Sequence, residues 1–88
     1  KAYTLDIYYA AAYYGAGVTY HYSGNFSKAL SNYTMSIHLD PNNCSAYFSR
    51  AMVYFKRKKY NPACSDFESA EALGCDRACD YIEKYCRQ

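Results

Sequence analysis

The sequence lacks tryptophan, contains only two prolines and four glycines, and has no long hydrophobic run in its 88 residues. No apolar stretch approaches the roughly 18 residues of a membrane-spanning helix, so we predict no membrane partner. The first residues also lack the basic, apolar and small-residue order of a signal peptide, although a leader cut before Lys1 would leave no trace.

The chain also lacks an excess of charge of either sign. Ten basic and eight acidic side chains give a net charge of +2, which is too weak a field to favour nucleic acid or an anionic surface. The four consecutive cations at 56–59 are expected to form a solvated turn, because an RNA site requires interleaved exposed aromatics and a larger basic area. We therefore predict no nucleic-acid partner.

The five cysteines are an odd number and cannot all pair within one chain. An odd number favours reduced thiols, and with them a cytoplasmic location, over a closed set of disulfides. Cys75, Cys79 and Cys86 could place three sulfurs along one side of a last helix, but zinc requires four ligands and the two histidines fall on other helices. We predict no metal and no cofactor, and keep a redox or metal module as a weak alternative.

Tyrosine is abundant, with 13 tyrosines beside four phenylalanines. A tyrosine ring has an apolar body and a polar tip, so this composition suits surfaces that are both partly buried and adhesive. A chain of this length buries only about 60% to 65% of its unfolded surface, so its core is thin. We therefore expect neighbouring repeats or a homo-oligomer to complete it.

The sequence resembles itself when it is shifted by 34 residues. Small residues then match small residues and aromatic residues match aromatic ones, at the spacings of 3, 4 and 7 that define one face of a helix. The matched pairs are Ala12 with Ala46, Tyr13 with Tyr47, Tyr14 with Phe48, Gly17 with Ala51, Tyr20 with Tyr54, Phe26 with Tyr60, Ala29 with Ala63, Tyr33 with Phe67, and Leu39 with Leu73. Each 34-residue unit is therefore predicted to form two amphipathic helices.

Turn residues divide the chain where the apolar pattern breaks. Gly24 can adopt the left-handed conformation that ends a helix, and Pro41 excludes helix at Asp40. Asn43 and Asp76 are predicted to cap the helices that follow them. The predicted helices run from about residue 6 to 22 and then over 26–39, 44–57, 60–73 and 77–87.

Small residues recur at the positions where two helices of a pair would meet. They are predicted to let the helix backbones approach closely, while larger aromatic side chains fill the space beside them. The small residues are Gly17, Ala29, Ala51, Ala63 and Ala70, and the aromatic ones are Tyr20, Tyr33, Tyr54 and Phe67.

A fixed order of small, aromatic and turn residues recurs in both units, and in the first it comprises Tyr13, Ala16, Gly17, Tyr20, Gly24, Phe26, Ala29, Tyr33 and Pro41. This order resembles the tetratricopeptide repeat, which implies an all-α fold, a right-handed α-solenoid of antiparallel helix pairs. The resemblance divides the single domain 1–88 into a lead-in helix or the tail of a preceding repeat at 1–9, repeat 1 at 10–43, repeat 2 at 44–77 and a capping helix at 78–88. Three positions depart from the family pattern: Ser36 stands for alanine, Arg50 for leucine and Cys75 for proline.

The resemblance also implies a groove lined by the first helix of each repeat. In one subgroup, the co-chaperone modules, lysine, asparagine and arginine side chains in this groove bind the carboxylates of a peptide C-terminus. The corresponding positions here are Tyr14, Val18, Ser49, Cys79 and Glu83, and none of them matches. Because a carboxylate site needs cationic donors to offset desolvation of the acid, binding of chaperone tails is not predicted.

The implied groove is instead mainly apolar, with aromatic and methionine side chains at its centre and polar groups at its edge, a composition typical of binding hot spots. The predicted peptide-binding residues are Tyr14, Val18, Tyr22, Phe48, Ser49, Met52, Phe55 and Ile82, and His21, Ser45 and Lys56 fall in the same groove. We hypothesise a non-catalytic scaffold that binds an apolar or amphipathic peptide segment of a partner protein. The alternative is an architectural module whose same face packs on further repeats or on its own copy.

No residue pattern supports catalysis. No pair of carboxylates shares a face with a plausible pocket, and the order of serine, histidine and aspartate residues does not exceed chance. Gly15 and Gly17 lie inside a predicted helix, whereas a phosphate-binding glycine loop follows a strand. We predict that the chain is not an enzyme and has no catalytic residues.

Overall fold

A computed structural model of the protein describes the backbone of residues 4–86 and the side chains of residues 8–86. Within this range the chain is helical and contains no strand, so the predicted all-α class is confirmed. The elements are α1 (Thr4–Ser23), α2 (Phe26–Leu39), α3 (Cys44–Lys56), α4 (Tyr60–Ala72), α5 (Arg77–Tyr81) and a π-helical segment (Ile82–Cys86). We call residues 75–86 the C-terminal segment.

The helices form two consecutive pairs with antiparallel members. α1 packs against α2 and α3 against α4, while α2 also contacts α3, so the two pairs stack side by side. The C-terminal segment packs on α4. α1 includes Thr4, two residues before the predicted start near Asp6. The predicted last helix is divided, since its α-helical part ends at Tyr81.

The turns form at the predicted turn residues, and one predicted helix cap is absent. Gly24 has a φ of +87° after α1, and the side chain of Asn43 accepts a hydrogen bond from the Ser45 amide at 3.0 Å, as a helix cap should. Between α3 and α4 the left-handed position is taken by Lys58, at a φ of +61°. The predicted cap at Asp76 is wrong: its side chain makes no capping hydrogen bond, because its backbone is already helical.

The core consists of two clusters of small and aromatic residues. One cluster joins α2 to α3 and contains Ala29, Tyr33 and Val53. The other joins α3, α4 and the C-terminal segment and contains Ala51, Ala63, Phe67, Ala70, Ala78 and Ile82. Tyr33 and Phe67, at matching repeat positions, are among the largest fully buried side chains described.

The contact between α1 and α2 is closest at Gly17. A Cβ atom added to Gly17 would lie 2.6 Å from Cδ1 and 2.7 Å from Cε1 of the Tyr33 ring. That separation is far shorter than van der Waals contact, so the ring occupies the space that any other residue at position 17 would fill. The predicted role of the small residue at this position is therefore to admit the Tyr33 ring.

Each departure from the family pattern has its own interaction. The hydroxyl group of Ser36, which is fully buried, donates a hydrogen bond to the carbonyl oxygen of Ala10 at 2.9 Å. The guanidinium group of Arg50 donates two hydrogen bonds to the carboxylate of Asp66, from Nε at 2.7 Å and from Nη2 at 2.8 Å. Because Asp66 is only 5% exposed, this bidentate pair supplies the partner that a buried carboxylate requires.

Two disulfide bonds, Cys44–Cys75 and Cys64–Cys86, hold the C-terminal segment on the second helix pair. The prediction of reduced thiols is therefore wrong for four of the five cysteines. The residues that pair are 31 and 22 positions apart, and only the fold brings them together. Cys79 remains free of disulfides, and its thiol donates a hydrogen bond to a carboxylate oxygen of Glu83 at 3.9 Å. Nearby carboxylates, that of Glu71 first, raise the pKa of the thiol.

Replacing Gly17 by alanine is expected to lower the free energy of unfolding by about 1 to 3 kcal/mol, because the added methyl group collides with the Tyr33 ring. Gly15 is the matched control, since it lies on the same helix and an added Cβ would meet nothing within 4 Å. Gly15→Ala is expected to raise the free energy of unfolding by about 0.5 to 1 kcal/mol through helix propensity alone. Urea unfolding followed by circular dichroism measures both, and equal stabilisation by the two substitutions would contradict the close approach.

Removing either disulfide by a pair of Cys→Ser substitutions is expected to lower the free energy of unfolding by about 3 kcal/mol, because the unfolded chain regains the freedom of the closed loop. Cys79→Ser is the control and is expected to leave the stability unchanged within about 0.5 kcal/mol. Urea unfolding without reductant makes the comparison. Alkylation of Cys44, Cys64, Cys75 or Cys86 in the native, unreduced chain would show that the bonds are not formed.

Candidate functional site

An open cavity of about 590 Å³ runs along the faces of α1 and α3 and ends at the C-terminal segment. We call it the groove. α1 contributes Tyr14, Val18, His21 and Tyr22, and α3 contributes Ser45, Phe48, Ser49, Met52 and Lys56. Along each helix these residues recur at spacings of three and four, so one face of each helix lines the groove. Tyr33, Cys75, Asp76 and Arg77 complete the lining.

Six of the eight predicted peptide-binding residues line the groove, namely Tyr14, Val18, Tyr22, Phe48, Ser49 and Met52. The placement of Ile82 there is wrong, because its side chain is fully buried between α3, α4 and the C-terminal segment. Phe55 also lies outside the lining: its ring packs against Tyr60 at 5.4 Å and Tyr85 at 4.6 Å between centroids. Whether the six residues bind a peptide stays a prediction.

The centre of the groove is apolar, and one hydrogen bond there connects the first helix pair to the second. The hydroxyl groups of Tyr14 on α1 and Ser49 on α3 are 3.1 Å apart. Phe48 packs edge-on against Phe67 and Tyr81, at 5.7 and 5.5 Å between ring centroids, so its ring joins the groove to the core. These contacts hold the aromatic floor in one arrangement before any ligand arrives.

The two ends of the groove carry charged or titratable groups. At the end where α1 and α3 terminate lie His21 and Lys56. At the other end, beside the Cys44–Cys75 disulfide, lie Asp76 and Arg77, and the Arg77 guanidinium is 5.1 Å from the centroid of the Phe48 ring.

Two ionisation equilibria in the groove are displaced by burial. The pKa of His21 is lowered, first by burial and then by the positive charge of Lys56. Burial is also the main cause that raises the pKa of Tyr33 to about 12. The Tyr33 hydroxyl lies 3.4 Å from Nδ1 of His21. At pH 7 both side chains are therefore neutral, and Lys56 is the cation at this end.

Sequence reasoning missed four residues of the lining: Tyr33, Cys75, Asp76 and Arg77. Tyr33 was assigned to the core, which is correct for its ring, but its hydroxyl group reaches His21. The other three lie where the helical pattern is interrupted between α4 and α5, and a disulfide fixes their position. No local periodicity could have found them.

The structure bears directly on the metal alternative. Cys75 and Cys86 are in disulfides, so they are not available as thiolate ligands beside Cys79. Over residues 4–86 no group of three or more histidine, cysteine, aspartate or glutamate side chains is arranged to hold a metal ion. No helix in the described part of the chain is both long and apolar enough to cross a membrane.

Comparison with known proteins gives a consistent set of relatives. The chain is 37% identical to Stress-induced-phosphoprotein 1 of Caenorhabditis elegans over 57 residues, which cover 65% of this chain and 18% of that protein. It is 36% identical to RNA polymerase II-associated protein 3 of Gallus gallus over 72 residues, 82% of this chain and 10% of the relative. It is 34% identical to the Xenopus laevis protein of the same name over 87 residues, which cover 99% of this chain and 13% of that protein. The chain thus spans less than a fifth of the length of each.

Two family models, both described as tetratricopeptide repeat, match the sequence. One matches residues 10–43, and the other matches residues 32–64, which run from the second half of α2 through α3 into the start of α4. Together they cover more than half of the chain. The 34-residue period, the stacked antiparallel helix pairs and these matches show that the chain belongs to the tetratricopeptide repeat family.

Proposed function

We propose that the chain is a non-catalytic protein–protein interaction scaffold whose groove binds an apolar or amphipathic peptide segment of a partner protein. The tetratricopeptide repeat family, to which the chain belongs, is typical of protein–protein interaction scaffolds. The observation that carries the proposal is the groove itself, an open cavity of about 590 Å³ with an aromatic and methionine floor. Such a floor buries a large apolar area with little loss of side-chain freedom.

The accessible apolar groups in the groove support peptide binding over a purely internal role. Phe48 and Met52 are half-buried, and Tyr22 at the end of α1 is 85% exposed. Exposed apolar surface of this kind, bordered by charged groups, is typical of binding sites for partner segments. The polar ends fix orientation, while the apolar centre supplies most of the affinity.

The proposed ligand is not the peptide C-terminus that the co-chaperone modules bind. Tyr14 and Ser49, at two of the corresponding positions, hydrogen-bond to each other, and Glu83 would repel a carboxylate. Any partner that the name of a relative indicates is a partner of that longer protein. We propose only the class of ligand for this chain.

The second candidate is an architectural role, in which the chain packs on further repeats or on its own copy. One observation favours it: α1 exposes Tyr8, Tyr9 and Tyr13, which are 69%, 54% and 37% accessible. These rings lie on the first helix and would become buried against a neighbouring helix pair.

The disulfides also change the proposed compartment. The cytoplasmic location followed from reduced thiols, and four of the five cysteines are paired. Disulfides form and persist in oxidising compartments and are rare in the cytosol. We therefore propose that the chain folds in an oxidising compartment.

Selection of a random 12-residue peptide library on the immobilised chain tests the groove. We expect peptides with apolar side chains to be enriched, and Met52→Lys to weaken their binding at least about tenfold, because it places an unpaired charge under the ligand. Phe48→Ala is expected to act in the same direction. Met35→Lys is the matched control, since Met35 is 39% exposed on α2, away from the groove lining, and is expected to leave binding unchanged.

Sedimentation velocity of the same variants distinguishes the two candidates. An unchanged oligomeric state together with lost peptide binding supports the scaffold. An oligomer that dissociates on Met52→Lys, or peptides that bind both methionine variants equally well, contradicts it and favours the architectural role.

A further inference from the structure

We propose that the segment bound in the groove carries an acidic side chain, and that its carboxylate lies between Lys56 and His21 at the end of the groove where α1 and α3 terminate. The proposal rests on the function proposed for the groove and names the chemistry of its occupant. It concerns a pair of residues outside the carboxylate-binding positions discussed above, and it does not require the carboxylate to belong to a peptide terminus.

The first observation is that Lys56 has no acidic partner. Among the described residues, Arg50 and Asp66 form an ion pair, and the side chain of Lys56 forms neither an ion pair nor a hydrogen bond. Its electrostatic interaction is with His21, a group that would carry the same charge. The Lys56 ammonium group and the His21 ring, which can also become a cation, face the same cavity. An anionic group of the ligand would therefore complement them.

The second observation is the distribution of charge along the groove. Among the described residues that line the groove, Asp76 is the acidic one, and it follows Cys75, which is bonded to Cys44 at the start of α3. Lys56 ends the same helix. Twelve residues of helix separate the two ends by about 18 Å, so Asp76 cannot neutralise Lys56. The groove is thus positive at one end and mixed in charge at the other.

The third observation is the environment of His21. Its ring stacks on Tyr22 at 5.6 Å between centroids, faces the edge of Phe26 at 6.1 Å, and approaches the hydroxyl of Tyr33. The titratable and charged groups that face it are therefore Tyr22, Tyr33 and Lys56, and none is a carboxylate. Tyr33 stays neutral at ordinary pH because its pKa is raised to about 12. An incoming carboxylate meets no repulsion there.

A charge reversal at Lys56 tests the proposal. The random 12-residue library is selected in parallel on the wild-type chain and on Lys56→Glu. We expect aspartate or glutamate to be enriched at one position of the wild-type peptides, and lysine or arginine to replace it in those selected on the variant. Binding of the wild-type acidic peptides to Lys56→Glu should fall by about tenfold, since an attraction is lost and a repulsion is gained.

The control reverses the charge of an exposed lysine outside the groove lining. Lys28→Glu is suitable, because Lys28 lies on α2 and its ammonium group is 5.5 Å from the centroid of the Tyr20 ring. It should leave the selected peptides unchanged. Two results would overturn the proposal while leaving the scaffold function intact. One is enrichment of apolar peptides without an acidic position, and the other is the same acidic position in peptides selected on the wild-type chain and on Lys56→Glu. No enrichment on any variant contradicts the scaffold function itself.

The pKa of His21 gives an independent measurement. It lies below the ordinary 6.5 in the free chain, and a carboxylate beside the ring would raise it. The bound state therefore takes up protons, so the affinity for an acidic peptide should increase as the pH falls from above the bound pKa to below the free one. The same peptide with glutamine or asparagine at the acidic position should show no such dependence.

Proton NMR titration of the His21 ring makes this measurement with and without a selected acidic peptide. Lys56→Met in the free chain is expected to raise the pKa of His21, yet to leave it below the ordinary value, because burial is the larger cause. An unchanged pKa of His21 on saturation with the acidic peptide would place the carboxylate elsewhere and overturn the assignment.

Discussion

The groove depends on the contact between Gly17 and the ring of Tyr33. Because position 17 has no side chain, the ring lies directly against the α1 backbone and is only 1% exposed. Its hydroxyl end reaches Nδ1 of His21, and its centroid is 5.7 Å from that of Tyr14. One buried side chain therefore sets the spacing of the first helix pair and positions two residues of the groove. A core substitution at this contact would move groove residues that it does not touch.

The second helix pair has a small residue and an aromatic ring at the matching positions, but the residues are different. Ala51 and Phe67 replace Gly17 and Tyr33, and the Phe67 ring stacks on Tyr81 of the C-terminal segment at 5.0 Å between centroids. That segment has only one turn of α-helix before its π-helical part, which is too short to be stable by itself. The two disulfides hold it in place, as covalent links commonly do in domains with a small core.

Periodic features were predictable from the sequence, whereas pairings between distant residues were not. The faces of α1 and α3 follow from apolar spacing, and so Tyr14, Val18, Phe48 and Met52 fall in the groove as predicted. The partners of Arg50 and Cys75 depend on which turns of different helices become neighbours. Sequence spacing does not show which distant residues become partners, and the odd number of cysteines led to the wrong prediction of reduced thiols. Ile82 was misplaced because the prediction assumed a regular last helix, and the C-terminal segment instead buries this side chain against α4.

The position of charge in the groove determines what kind of specificity it can have. An apolar strip lined at intervals of three and four can bind a segment in several registers, because each shift by one turn restores similar contacts. Charge at the centre would fix the register at the cost of desolvating the cation beneath the ligand. Lys56 is exposed at the end of α3, so the acidic side chain that we propose as its partner would be oriented there while the cation remains largely hydrated. The Tyr14–Ser49 hydrogen bond satisfies the polar groups at the centre internally. In the proposed complex the apolar floor would supply most of the affinity, and the exposed end would set the direction of the bound segment.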